Sequence, residues 1–196
     1  IVDLALFYRH DAPADSVLGQ ADVSTNRFVY GVFVETSSVT QIAWEDGVRA
    51  TISTGREPAT PVLNRENNLG LILQGTRGRI VVNGQEAVVQ RFGADGMRFP
   101  TPFETDATTW DHGIDPAIFA CTEAAVADLV DALQRGTEPV LDVRHALAGA
   151  EIIFATYESA RSRGRVSLPL GVYDNALTTG VADGLWSPVG ELRSTW

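Results

Sequence analysis

Residues 125–170 read AVADLVDALQRGTEPVLDVRHALAGAEIIFATYESARSRGRVSLPL, and this stretch decides the fold class. Val126, Leu129, Val130 and Leu133 recur at helical spacing, and Phe119 extends the series back to Asp115-Pro116, a capping residue followed by proline at the first helical position. Gly136 supplies a stop and Pro139 cannot continue the helix. Asp142 then caps a second helix, for which Leu147, Ala150, Ile153, Phe154, Tyr157 and Arg161 predict the inner stripe until Gly164 ends it. A short strand over 165–168 follows. The spacing thus predicts two long helices, 115–135 and 142–163, each with one apolar face to bury.

Upstream the period changes from 3.6 to 2. The opening residues 1–8 (IVDLALFY) read as a strand, with His10 at its end, and 11–26 (DAPADSVLGQADVSTN) as a surface loop without periodicity. Residues 28–35 (FVYGVFVE) read as one strand with apolar side chains toward both faces. Residues 38–45 (SVTQIAWE) and 48–54 (VRATIST) predict a hairpin across Asp46-Gly47, a dipeptide that favours a tight type I′ turn. Residues 55–68 form a long polar loop. A meander of 69–74, 79–83 and 87–92 follows, turned by 75–78 (GTRG) and Asn83-Gly84. The expected architecture is α+β: an open, mostly antiparallel sheet of at least six strands with both long helices on one face. The domain is expected to span 1–170, with 171–196 as an extended tail.

The 196 residues carry fifteen basic against twenty-five acidic side chains, a formal charge of −10, and all fifteen basic residues are Arg. Such a field repels phosphate backbones and anionic headgroups, so neither nucleic acid nor a membrane is an expected partner. No run approaches the roughly 18 apolar residues of a membrane span. A single cysteine, Cys121, forms no intrachain disulfide, which makes the cytoplasm the expected compartment and Cys121 a small buried hydrophobe. The carboxylate surplus is compatible with a halophile or with a high-GC genome. Beginning at Ile1 inside an apolar pattern, the chain reads as a fragment of a longer protein.

Motifs that would carry chemistry are few. The 75–78 sequence superficially resembles a phosphate loop, but such a loop must open a helix and here strands flank it, so a hairpin turn is expected. Neither GxGxxG nor GxxxxGK[ST] occurs, and no GxSxG elbow supports a nucleophile. His10, His112 and His145 lack the spacing of a zinc site. No residue is therefore expected as a catalytic, cofactor or metal ligand. Trp110, Asp111 and His112 place an aromatic, a carboxylate and an imidazole just before the first long helix. They have two readings: a substrate-binding loop on a rigid scaffold, or a helix lead-in with Trp110 packed and Asp111 and His112 solvated. His145, in the first turn of the second helix, has an ordinary structural role beside Asp142.

The run DLVDALQRG, then EPV, then YESARSRG and RVSLPL resembles the C-terminal signature of the Gfo/Idh/MocA family of oxidoreductases. The hairpin LILQGTRGRIVVNG is similar to that family's strand-turn-strand, and Trp44-Glu45-Asp46-Gly47 stands in the place of its acidic-Gly turn. The resemblance covers residues 1–170. It implies the family's C-terminal domain, which binds substrate and builds oligomers, while NAD or NADP and the catalytic lysine belong to a Rossmann domain absent from this chain. The parent would move a hydride between NAD(P) and a hydroxyl carbon of a sugar, inositol or related polyol. Alone, the chain is expected to bind no cofactor and to be inactive, because hydride transfer needs the nicotinamide and a general base that it lacks. Its open sheet face, including 28–35, is expected to make a homo-oligomer. Two rivals stand beside this reading: a stand-alone binding or assembly module on the same sheet, and a hydrolase using Asp111 and His112.

Overall fold

The computed structural model describes residues 2–10, 12–23, 25–29, 32–55, 70–83, 86–91, 104–109, 117–186 and 189–195. The chain forms two compact units, Ile1–Ala59 with Asp131–Trp196, and Thr60–Val130.

The first unit is built on a four-stranded antiparallel sheet in the order β10-β1-β4-β5, from β1 (Ser16–Asp22), β4 (Ser37–Ala43), β5 (Arg49–Gly55) and β10 (Val166–Ser167). The hairpin expected around Asp46-Gly47 is present, with a different turn. Gly47 N–H donates to Trp44 O and Trp44 N–H to Val48 O, both at 3.1 Å, and Gly47 sits at φ 89°. This is a three-residue loop ending in a left-handed glycine, not a two-residue type I′ turn.

Helix α3 (Val143–Ser162) lies on β1. Asp142 caps it as the sequence predicts, but the left-handed residue at its end is Arg163 (φ 57°) rather than Gly164. The expected inner stripe is also displaced. The residues that bury are Ile152, Ala155, Thr156 and Ser159, while Leu147 is 69% exposed and Ile153 and Phe154 also face solvent. Small residues win this face because α3 approaches the β1 backbone closely at Gly19. A Cβ there would stand 2.6 Å from Thr156 Cγ2. Ile152 and Ala155 join Leu6, Val17, Ile42, Trp44 and Ile52 in the main core.

Three further expectations are corrected in this unit. Residues 1–8 do not form a strand: Val2–Tyr8 is a helix, α1, whose Leu6 enters the core, and His10 follows it at φ 50°. The 11–26 segment is not all loop, since it supplies β1. The single strand expected over 28–35 is instead two, β2 (Thr25–Val29) and β3 (Val32–Phe33), paired antiparallel with Phe28 opposite Phe33. Phe33 consequently packs in a second core with Val23 and Leu177 and does not face outward.

Residues 171–196 are not extended throughout. They contain α4 (Ala176–Ala182), capped by Asn175, and β11 (Val189–Thr195), which pairs parallel with β2. α4 packs on α3, where Trp186 covers Gly180 so closely that a Cβ would meet its ring at 2.5 Å. Arg161 of α3 is paired with Glu158 and with Asp174, whose carboxylate also accepts from Thr179 Oγ1 at 2.8 Å.

The second unit contains the expected meander as a four-stranded antiparallel sheet in the order β6-β7-β8-β9, with β6 (Gly70–Gln74), β7 (Gly78–Asn83), β8 (Glu86–Arg91) and β9 (Glu104–Thr109). Gly75 N–H donates to Gly78 O at 2.8 Å, so the 75–78 sequence closes a hairpin as expected. The polar strand β9 carries no sequence signal. Helix α2 (Ala117–Arg135) stops at Gly136 (φ 67°), as predicted. The class is α+β with open, mostly antiparallel sheets; among the described residues there are four helices, and the strands fall into three sheets rather than one, the β11-β2-β3 sheet being mixed.

Candidate functional site

In the first unit, a cavity of about 1000 Å³ opens at the N-terminal end of α3. The chain brings five segments there: the end of α1, the 12–15 connection, the β4-β5 turn, residues 138–152 at the start of α3, and Leu168-Pro169. Leu6 and Ile152 of the main core line it, and so do six carboxylates, two arginines and two histidines.

Arg9 organises one side. Its Nη2 donates to Asp46 Oδ2 at 2.6 Å and its guanidinium lies 5.3 Å from the centroid of Trp44, a cation-π arrangement. Trp44 is buried, and its indole N–H donates to Ala12 O at 3.0 Å. The end of α1, the following loop and the β4-β5 turn are thereby tied together. Asp46 also accepts from Val48 N–H at 3.2 Å; that amide first, and Arg9 second, hold its carboxyl below the usual carboxylate range.

The cap of α3 organises the other side. Asp142 Oδ1 accepts His145 N–H at 2.9 Å and Oδ2 accepts Arg144 Nε at 3.1 Å, while Arg144 also pairs with Glu138. The His145 amide is the main cause of a lowered Asp142 pKa, and Asp142 in turn raises that of Arg144. Glu151, six residues beyond His145 in α3, accepts the Leu170 N–H at 2.7 Å. Asp15 and Glu45 are exposed, and Asp15 accepts from Ser16 Oγ at 3.0 Å.

The sequence-predicted site residues Trp110, Asp111 and His112 lie outside the described residues, as does the Asp115-Pro116 cap. His145 has the capping-turn role expected of it, and it also lines the cavity with His10. Sequence reasoning missed Arg9, Asp46 and Trp44 as a cluster; the signal was the tryptophan leading an acidic-Gly turn, whose contact with Arg9 depends on α1 being a helix. Among the described residues no group of three or more His, Cys, Asp or Glu could hold a metal ion. None of the described helices is long and apolar enough to cross a membrane.

No protein-family model and no curated protein matches the chain. Solved structures do. An NAD-binding oxidoreductase from Klebsiella pneumoniae superposes with a TM-score of 0.63 at 18% identity, over 88% of this chain and 48% of that one. A levoglucosan dehydrogenase in complex with NADH and levoglucosan gives 0.60 at 21% identity, over 86% and 48%. An oxidoreductase from Agrobacterium radiobacter in complex with NAD+, L-tartaric acid and magnesium gives 0.58 at 15% identity, over 85% and 46%. The chain has the fold of part of an NAD-binding oxidoreductase. That dehydrogenase-type fold agrees with the resemblance to the Gfo/Idh/MocA family, and the chain spans just under half the length of the oxidoreductases it matches.

Proposed function

We propose that the chain is the substrate-binding and oligomerisation domain of an NAD(P)-dependent oxidoreductase acting on a sugar, inositol or related polyol in the cytoplasm. The observation that carries this reading is the fold match of 0.60 to a levoglucosan dehydrogenase across 86% of the chain. In this reading the domain includes residues 171–196, which α4 and β11 tie to the first unit, and NAD or NADP is held by a Rossmann domain outside this chain. Trp110, Asp111 and His112 supply substrate contacts, and an aromatic face beside a carboxylate and an imidazole suits a ligand rich in hydroxyls. The chain carries neither the lysine that the resemblance assigns to catalysis nor a phosphate fingerprint, so in this reading both come from the rest of the protein.

Oligomerisation is assigned to the exposed face of the β10-β1-β4-β5 sheet. Leu18 and Val39 are 45% and 38% exposed there, among polar neighbours such as Gln20 and Gln41. Phe33 belongs to a core, so Val39→Asp is the substitution that should dissociate an oligomer without unfolding the domain.

The test is an assay of NAD(P)H formation at 340 nm with the protein as its gene encodes it and with the present chain alone, over a set of sugars, inositols and sugar alcohols. Turnover by the first and none by the second is expected. If the gene-encoded protein binds polyols but turns over none with either cofactor, the chain is a binding module.

A further inference from the structure

We infer that the outer face of α3 is an interface between two copies of this chain, paired antiparallel about a two-fold axis close to Ala150. The inference goes beyond the proposed function and does not rest on it, since the sheet face assigned there is a different surface.

Val143, Leu147, Ala150 and Phe154 form a row along α3 at helical spacing, on the side opposite Ile152 and Ala155, which pack into the main core. Helices α1 and α4 pack beside α3, yet Val143 is 79% exposed and Leu147 is nearly as open. A continuous apolar row on a protein surface marks a contact face, whereas single exposed apolar residues are ordinary. The row is extended at both ends. Val140 and Leu141, just before α3, are each more than half exposed. At the other end Arg161 continues the row, and its Nη2 donates to Asp174 Oδ1 at 3.1 Å, which sets the adjacent Tyr173 there. Tyr173 is 99% exposed, more than any other large apolar or aromatic side chain among the described residues.

The surface is complementary to itself in one arrangement. In a two-fold contact, whatever residue i of one copy meets in the other is met in return. Ala150 stands midway between Val140 and Arg161 in the chain. Antiparallel pairing about it lays Leu147 against the partner's Ile153 and Phe154, and Tyr173 over the partner's Val140 and Leu141. The small Ala150 at the crossing lets the helix axes approach closely. Tyr173 is the type of aromatic anchor that dominates interfaces when it fills a pocket, and Val140 borders the cavity at the N-terminal end of α3, which gives the ring room.

Charge selects the same arrangement. Each copy carries a net charge of −10, so two copies repel unless the contact itself is complementary. Glu138 and Asp142 precede α3, and Arg161, Arg163 and Arg165 lie at or beyond its last turn. Antiparallel pairing brings Arg163 of each copy to the partner's Glu138, whereas parallel pairing sets like ends together. A helix of 20 residues is about 30 Å long, and with Tyr173 and 140–141 widening both ends the contact reaches the lower part of the size range of stable interfaces, roughly 1,200 Å² in total.

The experiment is sedimentation equilibrium on the purified chain at low ionic strength, with variants at exposed positions whose folding is checked by circular dichroism. Leu147→Asp should halve the mass found for the unchanged chain. With the sheet face broken by Val39→Asp, the mass should stay at about 42 kDa, twice the 21.1 kDa of one chain, and V39D/L147D should be monomeric. Tyr173→Ala should weaken the dimer about tenfold or more. Arg163→Glu and Glu138→Arg should each weaken it at least about threefold, and R163E/E138R should return to within about twofold of the unchanged chain, because both charge pairs are then restored with reversed sign. The inference is overturned if V39D is monomeric at about 100 μM, if L147D leaves the mass unchanged, if Y173A associates normally, or if R163E/E138R is as weak as either single variant. A monomeric V39D chain together with a Leu147→Cys thiol shielded from maleimide in the gene-encoded protein would assign the face to the rest of that protein instead of a second copy.

Discussion

The backbone N–H of Gly19 in β1 donates to Ser159 Oγ in α3 at 2.8 Å, joining residues 140 positions apart. Beside this bond, Thr40 Oγ1 of β4 and Thr156 Oγ1 of α3 are hydrogen-bonded at 3.0 Å, both residues buried. The helix thus lies on the sheet through small residues and a polar seam. A Cβ at Gly19 would stand 2.6 Å from Thr156 Cγ2 and 2.7 Å from Thr156 O, too close for any side chain without moving the helix. Gly19→Ala should destabilise the first unit by about 1–3 kcal/mol, the usual cost of overpacking a tight site. Urea unfolding followed by circular dichroism measures it, and an unchanged midpoint would mean that α3 is set further from β1.

Ser159→Ala tests the other half of the same contact. Ser159 is fully buried, and its loss leaves the Gly19 N–H without its acceptor in a buried interface. The expected cost is about 1–3 kcal/mol. Hydrogen exchange at the Gly19 amide should accelerate in parallel, which a purely cavity-related loss would not produce.

Asp174 links the end of α3 to the start of α4. Arg161 first, and Thr179 second, lower its pKa from 3.8 to about 2. A carboxyl whose folded pKa is depressed contributes stability that is present above its unfolded pKa and is lost as pH falls through the folded value. Docking of α4 should therefore weaken between about pH 4 and pH 2. The fluorescence of Trp186, which packs on Gly180 of α4, reports this. In Asp174→Asn that acid transition should flatten.

Tyr157 behaves in the opposite sense. Burial, and then the Glu35 carboxylate that its hydroxyl bonds at 2.8 Å, raise its pKa above the ordinary 10. A raised folded pKa gives stability that is complete below pH 10 and is lost as pH climbs beyond it. Tyr157→Phe should remove that alkaline dependence. At neutral pH it should cost about 1 kcal/mol, the lower part of the range for a bond to a charged group because the site is partly solvated. Thermal melts at pH 7 and pH 10.5 separate the two effects.

The parts of the fold legible in the sequence are those specified by local chemistry. The Asp142 cap, the Gly136 stop and the Asp46-Gly47 hairpin each depend on one or two residues whose backbone preference or side-chain reach dictates the geometry. The failures have long-range causes. Residues 1–8 are too short and too uniformly apolar for periodicity to separate strand from helix, and only burial of Leu6 against the main core decides for α1. β1 was hidden because its central Gly19 weakens a strand pattern, yet Gly19 is required by the helix above it. Periodicity puts the stripe of α3 on its largest side chains, whereas the close approach selects Ala155, Thr156 and Ser159. Of the candidate site residues, Trp110, Asp111 and His112 remain an expectation outside the described residues, while the Arg9-Asp46-Trp44 cluster joins residues up to 37 positions apart through tertiary contact, which no local pattern displays.

The proposed division of labour, substrate contacts in this chain and cofactor binding elsewhere, is tested most directly by steady-state kinetics on the gene-encoded protein with Asp111→Asn and His112→Ala, measuring KM for the polyol and for NAD(P)+ separately. If these residues contact substrate, the polyol KM should rise about tenfold or more, equivalent to about 1.4 kcal/mol of lost binding, while the cofactor KM stays within about twofold. A cofactor KM that moves as much as the polyol KM, or a polyol KM that does not move, would contradict the account.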